Sequence, residues 1–389
     1  MPAEIVRFCD LSQDDLRQWE TMVDSVQGYE SPFFHPHFTR IVSRHRNDVF
    51  VILEREADAI QLVLPVHKSG RTAFPIGAPF SDYHGPVVSP DWDGHLGYIL
   101  QNVNISHYRF TSLYDLKNRF VDLASETDGT FVCDISSGSA AYFENQRNLF
   151  PKHAKKMRRL NRKIQREVGQ STFCFDDKDN AAWDTLMTWK RAQYRSTGRH
   201  DVLAPDWVRS MFLDLWNDGV EGCHGIFHTL KIDGHLVAGE FNLASKHTLH
   251  GWIPAYDHQY SSYTPGFLLQ DQIISTAADE GIREYDLGVS AGHYKKYYSQ
   301  FQLPVLRGTA HGSGTSVRSA SLGSRVWNTL EGDEETKVGA LAGKIRRRYG
   351  IIRTVEPTVS GRLKGIALAA GQILRPSTSE AAQETADTE

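Results

Sequence analysis

The sequence predicts an α/β protein: two similar mixed-sheet units with helices on both faces, followed by a helical C-terminal tail. Three observations lead there. Short β-branched apolar runs alternate with stretches of helical periodicity, the order helix, hairpin, strand, helix, strand occurs twice, and the composition shifts to small and basic residues after about 313. The length of 389 residues suits two or three domains, and 40% hydrophobic residues with 8 Trp, 15 Tyr and 19 Phe exclude global disorder.

In the first unit Ser12, with Asp15 three residues on, caps a helix expected over 13–26 whose apolar positions are Leu16, Trp19, Val23 and Val26. VFVILE (49–54) and AIQLVLPV (59–66) read as a hairpin. A loop rich in Gly, Pro and aromatics covers 74–88, a helix is expected around 94–104, and strands at 108–115 and 130–135. The second unit opens with PKHAKKMRRLNRKIQREVG (151–169), a basic helix with an apolar stripe of Met157, Leu160, Ile164 and Val168. It is a solvated face, an anionic-ligand groove, or a nucleic-acid or membrane surface. Helices at 181–196 and 206–217 lead into strands at 225–232 and 235–244 joined by Asp233-Gly234, then a strand at 248–256, a helix from Thr264 or Pro265 to Ala278, and a strand at 283–288. The tail holds a small-residue linker (313–325), the cations Lys344, Arg346, Arg347 and Arg348, a short apolar helix (362–374), and a Ser/Thr/Ala/Glu-rich end (376–389) expected to be disordered.

Several function classes are excluded. Lys plus Arg number 43 against 47 Asp plus Glu, a net charge of −4 that argues against a dedicated nucleic-acid coat. Cys9, Cys133, Cys174 and Cys223 form no CxxC pair and are expected as reduced, mostly buried thiols, and His35 and His37 have no metal-ligand spacing, so no metal is expected. No segment approaches the roughly 18 apolar residues of a membrane span, and the N-terminus lacks a signal-peptide run. A cytoplasmic protein is expected, peripheral at the inner membrane if its tail lies on lipid.

Chemistry concentrates in 248–301. A strand delivers the chain through DHQYSSYTPG to a helix whose first-turn N–H groups suit an anion. His250 on that strand is either a base near pH 7 or a side chain on the wrong face. Asp286, at a strand end, orients a substrate amine or hydroxyl or serves as a cap. Trp252 and Tyr256 alternate along one strand, as a platform for substrate or as a core pair.

With its flanks this stretch resembles the GCN5-related N-acetyltransferase superfamily. Gln259-x-x-Ser262-x-Thr264 stands where that superfamily has its acyl-CoA pyrophosphate loop, with small residues replacing glycines and Gly266 and Phe267 following in the helix. SPFFHPHF (31–38), GAPFSDYHGPV (77–87), AKKMRRLNRKIQREVG, AYDHQYSSYTPGFLL (255–269) and YDLGVSAGHYKKYYSQF (285–301) resemble the BioF2-like or CelD-like acetyltransferases of polysaccharide biosynthesis, relatives of the Fem peptidoglycan aminoacyltransferases. The resemblance implies a tandem Fem-like fold: an acceptor-side domain (1–150), an acyl-donor domain (151–312), and a helical tail (313–375). It implies acetyl-CoA as co-substrate, Tyr294 as the acid for the leaving thiolate beside Lys295, and Asp82, Tyr83 and His84 facing the acceptor cleft. The implied activity is acetyl transfer from acetyl-CoA to an amine or hydroxyl of a sugar intermediate in bacterial exopolysaccharide, cellulose or holdfast-type biosynthesis. Two alternatives stay open: a Fem-like aminoacyl-tRNA-dependent transferase acting on cell-wall precursors, and a catalytically weak regulatory subunit whose tail binds membrane, an anionic nucleotide or the synthesis machinery.

Overall fold

The computed structural model describes residues 3–289, 292, 294–312 and 349–373. Local signals act where they stand in the sequence. Ser12 accepts from the Asp15 N–H while the Asp15 carboxylate accepts from the Ser12 N–H, a complete capping box that starts α1 (Gln13–Ser25). A helix not expected from the sequence, α2 (Pro36–His45), follows, with Pro36 in its first turn and the His35 side chain accepting from the His37 N–H.

The remaining elements of the first half are β1 (Ala3–Arg7), β2 (Val49–Glu56), β3 (Ala59–Ser69), β4 (Thr72–Pro75), β5 (Val87–Val88), α3 (Leu96–Asn102), β6 (His107–Tyr114), β7 (Ala124–Asp134) and α4 (Ser139–Leu149). The second half has α5 (Pro151–Glu167), β8 (Ser171–Cys174), α6 (Asn180–Ser196), α7 (Asp206–Asn217), β9 (His224–Ile232), β10 (His235–Ala244), β11 (Thr248–Tyr256), α8 (Pro265–Asp279), β12 (Glu284–Val289) and β13 (Phe301–His311). The turn between β9 and β10 places Asp233 and Gly234 at φ of 46° and 82°, the left-handed conformations that its sequence favours.

All strands join one mixed sheet with the order β1-β2-β3-β4-β6-β13-β7-β12-β11-β10-β9-β8, β5 pairing with β3 at the side. The order is a near mirror image about its centre. β1-β2-β3-β4-β6 repeats as β8-β9-β10-β11-β12, and the parallel pairs β4·β6 and β11·β12 occupy equivalent places. At the centre the last strands are exchanged: β13, from the second half, pairs with β6, while β7, from the first, pairs with β12. The two α/β units therefore share one hydrogen-bonded ladder.

Helices cover both faces. α1, α2, α6 and α7 lie on one face over a continuous core that includes Trp19, Phe33, Phe38, Phe212 and Trp252. The other face carries two separate cores, one under α3 and one under α4, α5 and α8. The stripe Met157, Leu160 and Ile164 is the buried side of α5, as its spacing predicts.

The helical tail is docked. Ile352 and Val355 are buried, Trp207 Nε1 donates to the Val355 carbonyl at 2.8 Å, and Arg46 donates to that of Thr354 at 3.0 Å. Its C-terminal helix, Val359–Ile373, leaves Leu363 and Ile366 exposed. The expected linker 313–325, the cations Lys344 to Arg348 and the end 376–389 lie outside the described residues. No described helix is long and apolar enough to cross a membrane. Cys133 and Cys223 are buried, but Cys9, in a 3-10 turn after β1, and Cys174, at the end of the edge strand β8, are exposed.

The exchange has a direct consequence for folding. A fragment of residues 151–312 lacks β7 and leaves the β12 and β13 edges unpaired. It should aggregate or lack a cooperative melt by circular dichroism, whereas co-expression with residues 1–150 should restore one. A fragment that melts cooperatively alone would contradict the exchange.

Candidate functional site

β11 and β12 pair over three positions only, Thr248↔Glu284, Leu249↔Tyr285 and His250↔Asp286, and then diverge. The divergence begins where β11 bulges. Asn242 faces Gly251 and Phe241 faces Ile253, so Trp252 is an extra residue whose N–H donates to Asn242 Oδ1 at 3.1 Å. One inserted residue reverses the side-chain alternation. Trp252 is consequently buried among Phe33, Phe212 and Phe241, with Nε1 donating to the Phe80 carbonyl at 2.8 Å, while Tyr256 lies on the opposite face. The two rings expected to share a platform are separated by this bulge.

Asp286 is held by two hydrogen bonds. Its Oδ1 accepts from the Gly288 N–H at 2.7 Å, its Oδ2 accepts from the Tyr83 hydroxyl, and Tyr83 also meets Thr130 Oγ1 at 2.5 Å. His250 Nδ1 stands 3.9 Å from the same Oδ2, and its Nε2 is 3.0 Å from Ser31 Oγ. His250 and Asp286 are 0% and 2% exposed, and burial lowers the imidazole pKa, so His250 is a neutral, enclosed ring beside Asp286.

Lys295 sits at the end of β12, 4% exposed, donating to the Gly288 and Val289 carbonyls at 3.0 and 3.2 Å. Burial lowers its pKa, opposed by the charges of Asp82, Asp286, Asp128 and Glu240, so one cation lies among four acids. Asp82 is half-buried, and burial with the neighbouring Asp286 pushes it up to about 7, Lys295 opposing. Gly288 has φ of 78°, and a Cβ there would stand 3.3 Å from Asp82 Oδ2, so glycine permits β12 to end against this carboxyl. Glu240 accepts from the Tyr285 hydroxyl at 2.6 Å, and burial raises its pKa. Lys190 of α6 donates to the Pro254 carbonyl at 2.9 Å and is pushed down to about 8 by burial. Tyr294 is raised by burial and then by the Glu240 charge, so it keeps its proton at neutral pH.

At the far end of β11, Asp257 Oδ1 accepts from the Gln259 N–H at 2.9 Å and caps a 3-10 turn, His258–Tyr263. Gln259 and Ser262 are exposed on it. Thr264 takes φ 51° and ψ 55°, a left-handed conformation that costs a residue with a Cβ about 1–2 kcal/mol and suits the glycine it replaces in the resemblance. Pro265 has no N–H and the Phe267 N–H is taken by the Thr264 carbonyl at 3.1 Å, so Gly266 is the first-turn position open to an anion. Tyr256 stands over it, 3.8 Å from a Cβ built on Gly266. α5 packs beside this turn, Lys163 lying 5.0 Å from the Tyr263 ring centroid.

His84 does something other than face the cleft. Its Nε2 accepts from the Thr111 and Ser112 N–H groups at 3.1 and 3.0 Å, and its segment bridges to Leu113 of β6. It closes, between β4 and β6, the gap that stays open between β11 and β12. Burial holds the ring neutral, at about 3, in keeping with an accepting nitrogen.

Of the expected residues, the structure gathers Asp82, Tyr83, His250, Asp286 and Lys295 around the end of β12, with Tyr294 next to Lys295 in the chain. Gln259, Ser262, Thr264, Gly266, Phe267 and Tyr256 surround the start of α8. Glu240, Lys190 and Asp128 escaped the sequence reading. A lone acid within the apolar strand HLVAGEFNLA was the available signal for Glu240.

Residues 151–296 match the family model described as an acetyltransferase (GNAT) domain. The stretch runs from α5 through β12 to Lys296. No curated protein matches the chain. Among solved structures, the C-terminal domain of a putative lysylphosphatidylglycerol synthetase from Agrobacterium fabrum is 12% identical, with 77% of this chain and 92% of that chain covered and a TM-score of 0.48. FemX is 10% identical, covering 76% of this chain and 94% of that one at a TM-score of 0.49. A tandem GNAT protein from the clavulanic acid biosynthesis pathway is 9% identical, covering 80% and 98% at 0.44.

Tyr83→Phe removes the donor to Asp286 and leaves a buried carboxylate oxygen without its hydroxyl. Urea denaturation should show a loss of about 1.5–3 kcal/mol. An unchanged midpoint would mean that this contact does not hold the two halves together.

Proposed function

We infer that this chain is an acyltransferase that moves an acetyl group from acetyl-CoA to an amine or hydroxyl of a sugar intermediate in bacterial polysaccharide biosynthesis. The observation that carries the reading is the opening between β11 and β12, directly at Asp286 and within the stretch matching an acetyltransferase (GNAT) domain. In this reading the donor lies in the gap, its thioester at the β12 end and its pyrophosphate at Gly266 and the 258–264 turn.

Asp82, half-buried and therefore within reach of an acceptor, takes the proton from the attacking amine or hydroxyl. A carboxyl near 7 combines enough free base with enough basicity for that step. As the nitrogen or oxygen bonds to the acyl carbon, the carbon–sulfur bond breaks, and Tyr294 supplies the proton that the thiolate takes. Lys295 holds the β12 end in place through two carbonyls and balances the surrounding acids. The acidic surroundings favour a cationic amino sugar over a neutral one.

Titration calorimetry with acetyl-CoA and a thiol-release assay with an amino sugar test this. The active form of Asp82 is its carboxylate, so kcat/KM should fall about tenfold per pH unit below about 7 and level off above it. The sign for stability is opposite: the folded-state pKa lies above the usual carboxylate value, so the protonated form's stabilisation is lost as pH rises through about 7. Asp82→Asn should cost about 10²–10⁴ in rate and remove that limb. No heat and no thiol release at millimolar acetyl-CoA would contradict the reading.

A further inference from the structure

On the sheet face opposite His250, a cleft of about 160 Å³ opens between α4, α5, α8 and the 297–298 turn. Phe267 separates it from the donor gap, its ring 5.6 Å from that of Tyr294 on one side and 5.9 Å from His153 on the other. The cleft has a flat aromatic wall: the His153 imidazole stacks on Tyr297 with centroids 4.5 Å apart and planes within 4°.

Two buried polar atoms there have no hydrogen-bond partner among the described residues, Gln146 Oε1 and His153 Nε2. The Gln146 amide is not free to turn, because its Nε2 donates to the Tyr298 carbonyl at 3.0 Å. Its oxygen thus stands fixed, waiting for a donor. Leaving such a group unpaired costs about 1–3 kcal/mol, which a ligand N–H would recover. Arg147 and Arg158 line the same cleft and are both exposed, while Asp271, half-buried and bonded to the Tyr298 hydroxyl at 3.1 Å, is pushed up to about 7 and so carries only part of its negative charge.

These features define a ligand. The volume is close to the roughly 150 Å³ of a cavity that encloses one benzene ring. One planar ring fills that volume, and the second ring of a fused pair would project through the open side of the cleft. Stacking on the outer face of the His153–Tyr297 pair asks for a flat heterocycle, Gln146 Oε1 asks for a ring or exocyclic N–H, and the two guanidinium groups ask for an attached phosphate. The geometry points to a binding site for a pyrimidine nucleoside phosphate, its base in the cleft and its phosphate between Arg147 and Arg158. The site is separate from the donor gap and does not rest on the acyltransferase reading.

Titration of the full-length chain with uridine monophosphate, adenosine monophosphate and acetyl-CoA tests the proposal. Uridine monophosphate should bind with a salt-sensitive Kd, adenosine monophosphate about tenfold or more weakly, and saturating acetyl-CoA should leave the uridine monophosphate Kd unchanged. Reversing the exposed charges, R147E with R158E, should weaken binding about tenfold or more without altering the melting temperature, and Gln146→Met should weaken it as well. The proposal is overturned by no binding at millimolar uridine monophosphate, by tighter binding of the adenine nucleotide, by competition with acetyl-CoA, or by affinity that survives the charge reversal.

Discussion

The exchange of β7 and β13 is the constraint on which the rest of the structure depends. Each unit surrenders its last strand to the other, so the sheet cannot be divided without leaving open edges at its centre. β7 then carries Thr130 and Phe131 to the flank of β12, and the 77–85 loop of the first half meets the end of that strand. Asp82, Tyr83 and Ser31 reach Asp286, Gly288 and His250 only because of this arrangement.

The repeated strand order with unequal openings leaves one candidate site rather than two. Both units contain a short parallel pair that diverges after a few residues, β4·β6 and β11·β12. In the first, His84 spends its ring nitrogen on two backbone N–H groups and its segment bridges to β6, which fills the opening. In the second, the bulge at Trp252 and the glycine at 288 keep the opening clear and place acids around it. Burying Asp286, Glu240 and Lys295 together is costly unless each is paired, and the pairing fixes how the halves meet.

The sequence disclosed local structure well and non-local structure poorly. The capping box at Ser12, the Asp233-Gly234 turn, the amphipathic α5 and the repeated element order are consequences of near neighbours, and each is found as expected. The exchanged strands are not readable from periodicity, because β13 pairs with residues nearly two hundred positions away. The bulge misled for a related reason: one extra residue at Trp252 turns Tyr256 to the other face, and nothing in TLHGWIPAY announces it. Around the site, Asp82, Tyr83, His250, Asp286 and Lys295 are marked by the sequence and its resemblance and do converge, whereas the resemblance places His84 at the cleft and its backbone partners at 111 and 112 lie on a distant strand that periodicity does not disclose.

In the proposed function a donor enters the gap between β11 and β12 in a sheet assembled from both halves. Hydrogen exchange read by mass spectrometry, with and without saturating acetyl-CoA, tests it most directly. Added protection in 251–266 and 284–289, and in the 77–85 loop contributed by the other half, is the predicted result. Unchanged exchange in those three segments, with protection confined to other parts of the sheet, would contradict the account.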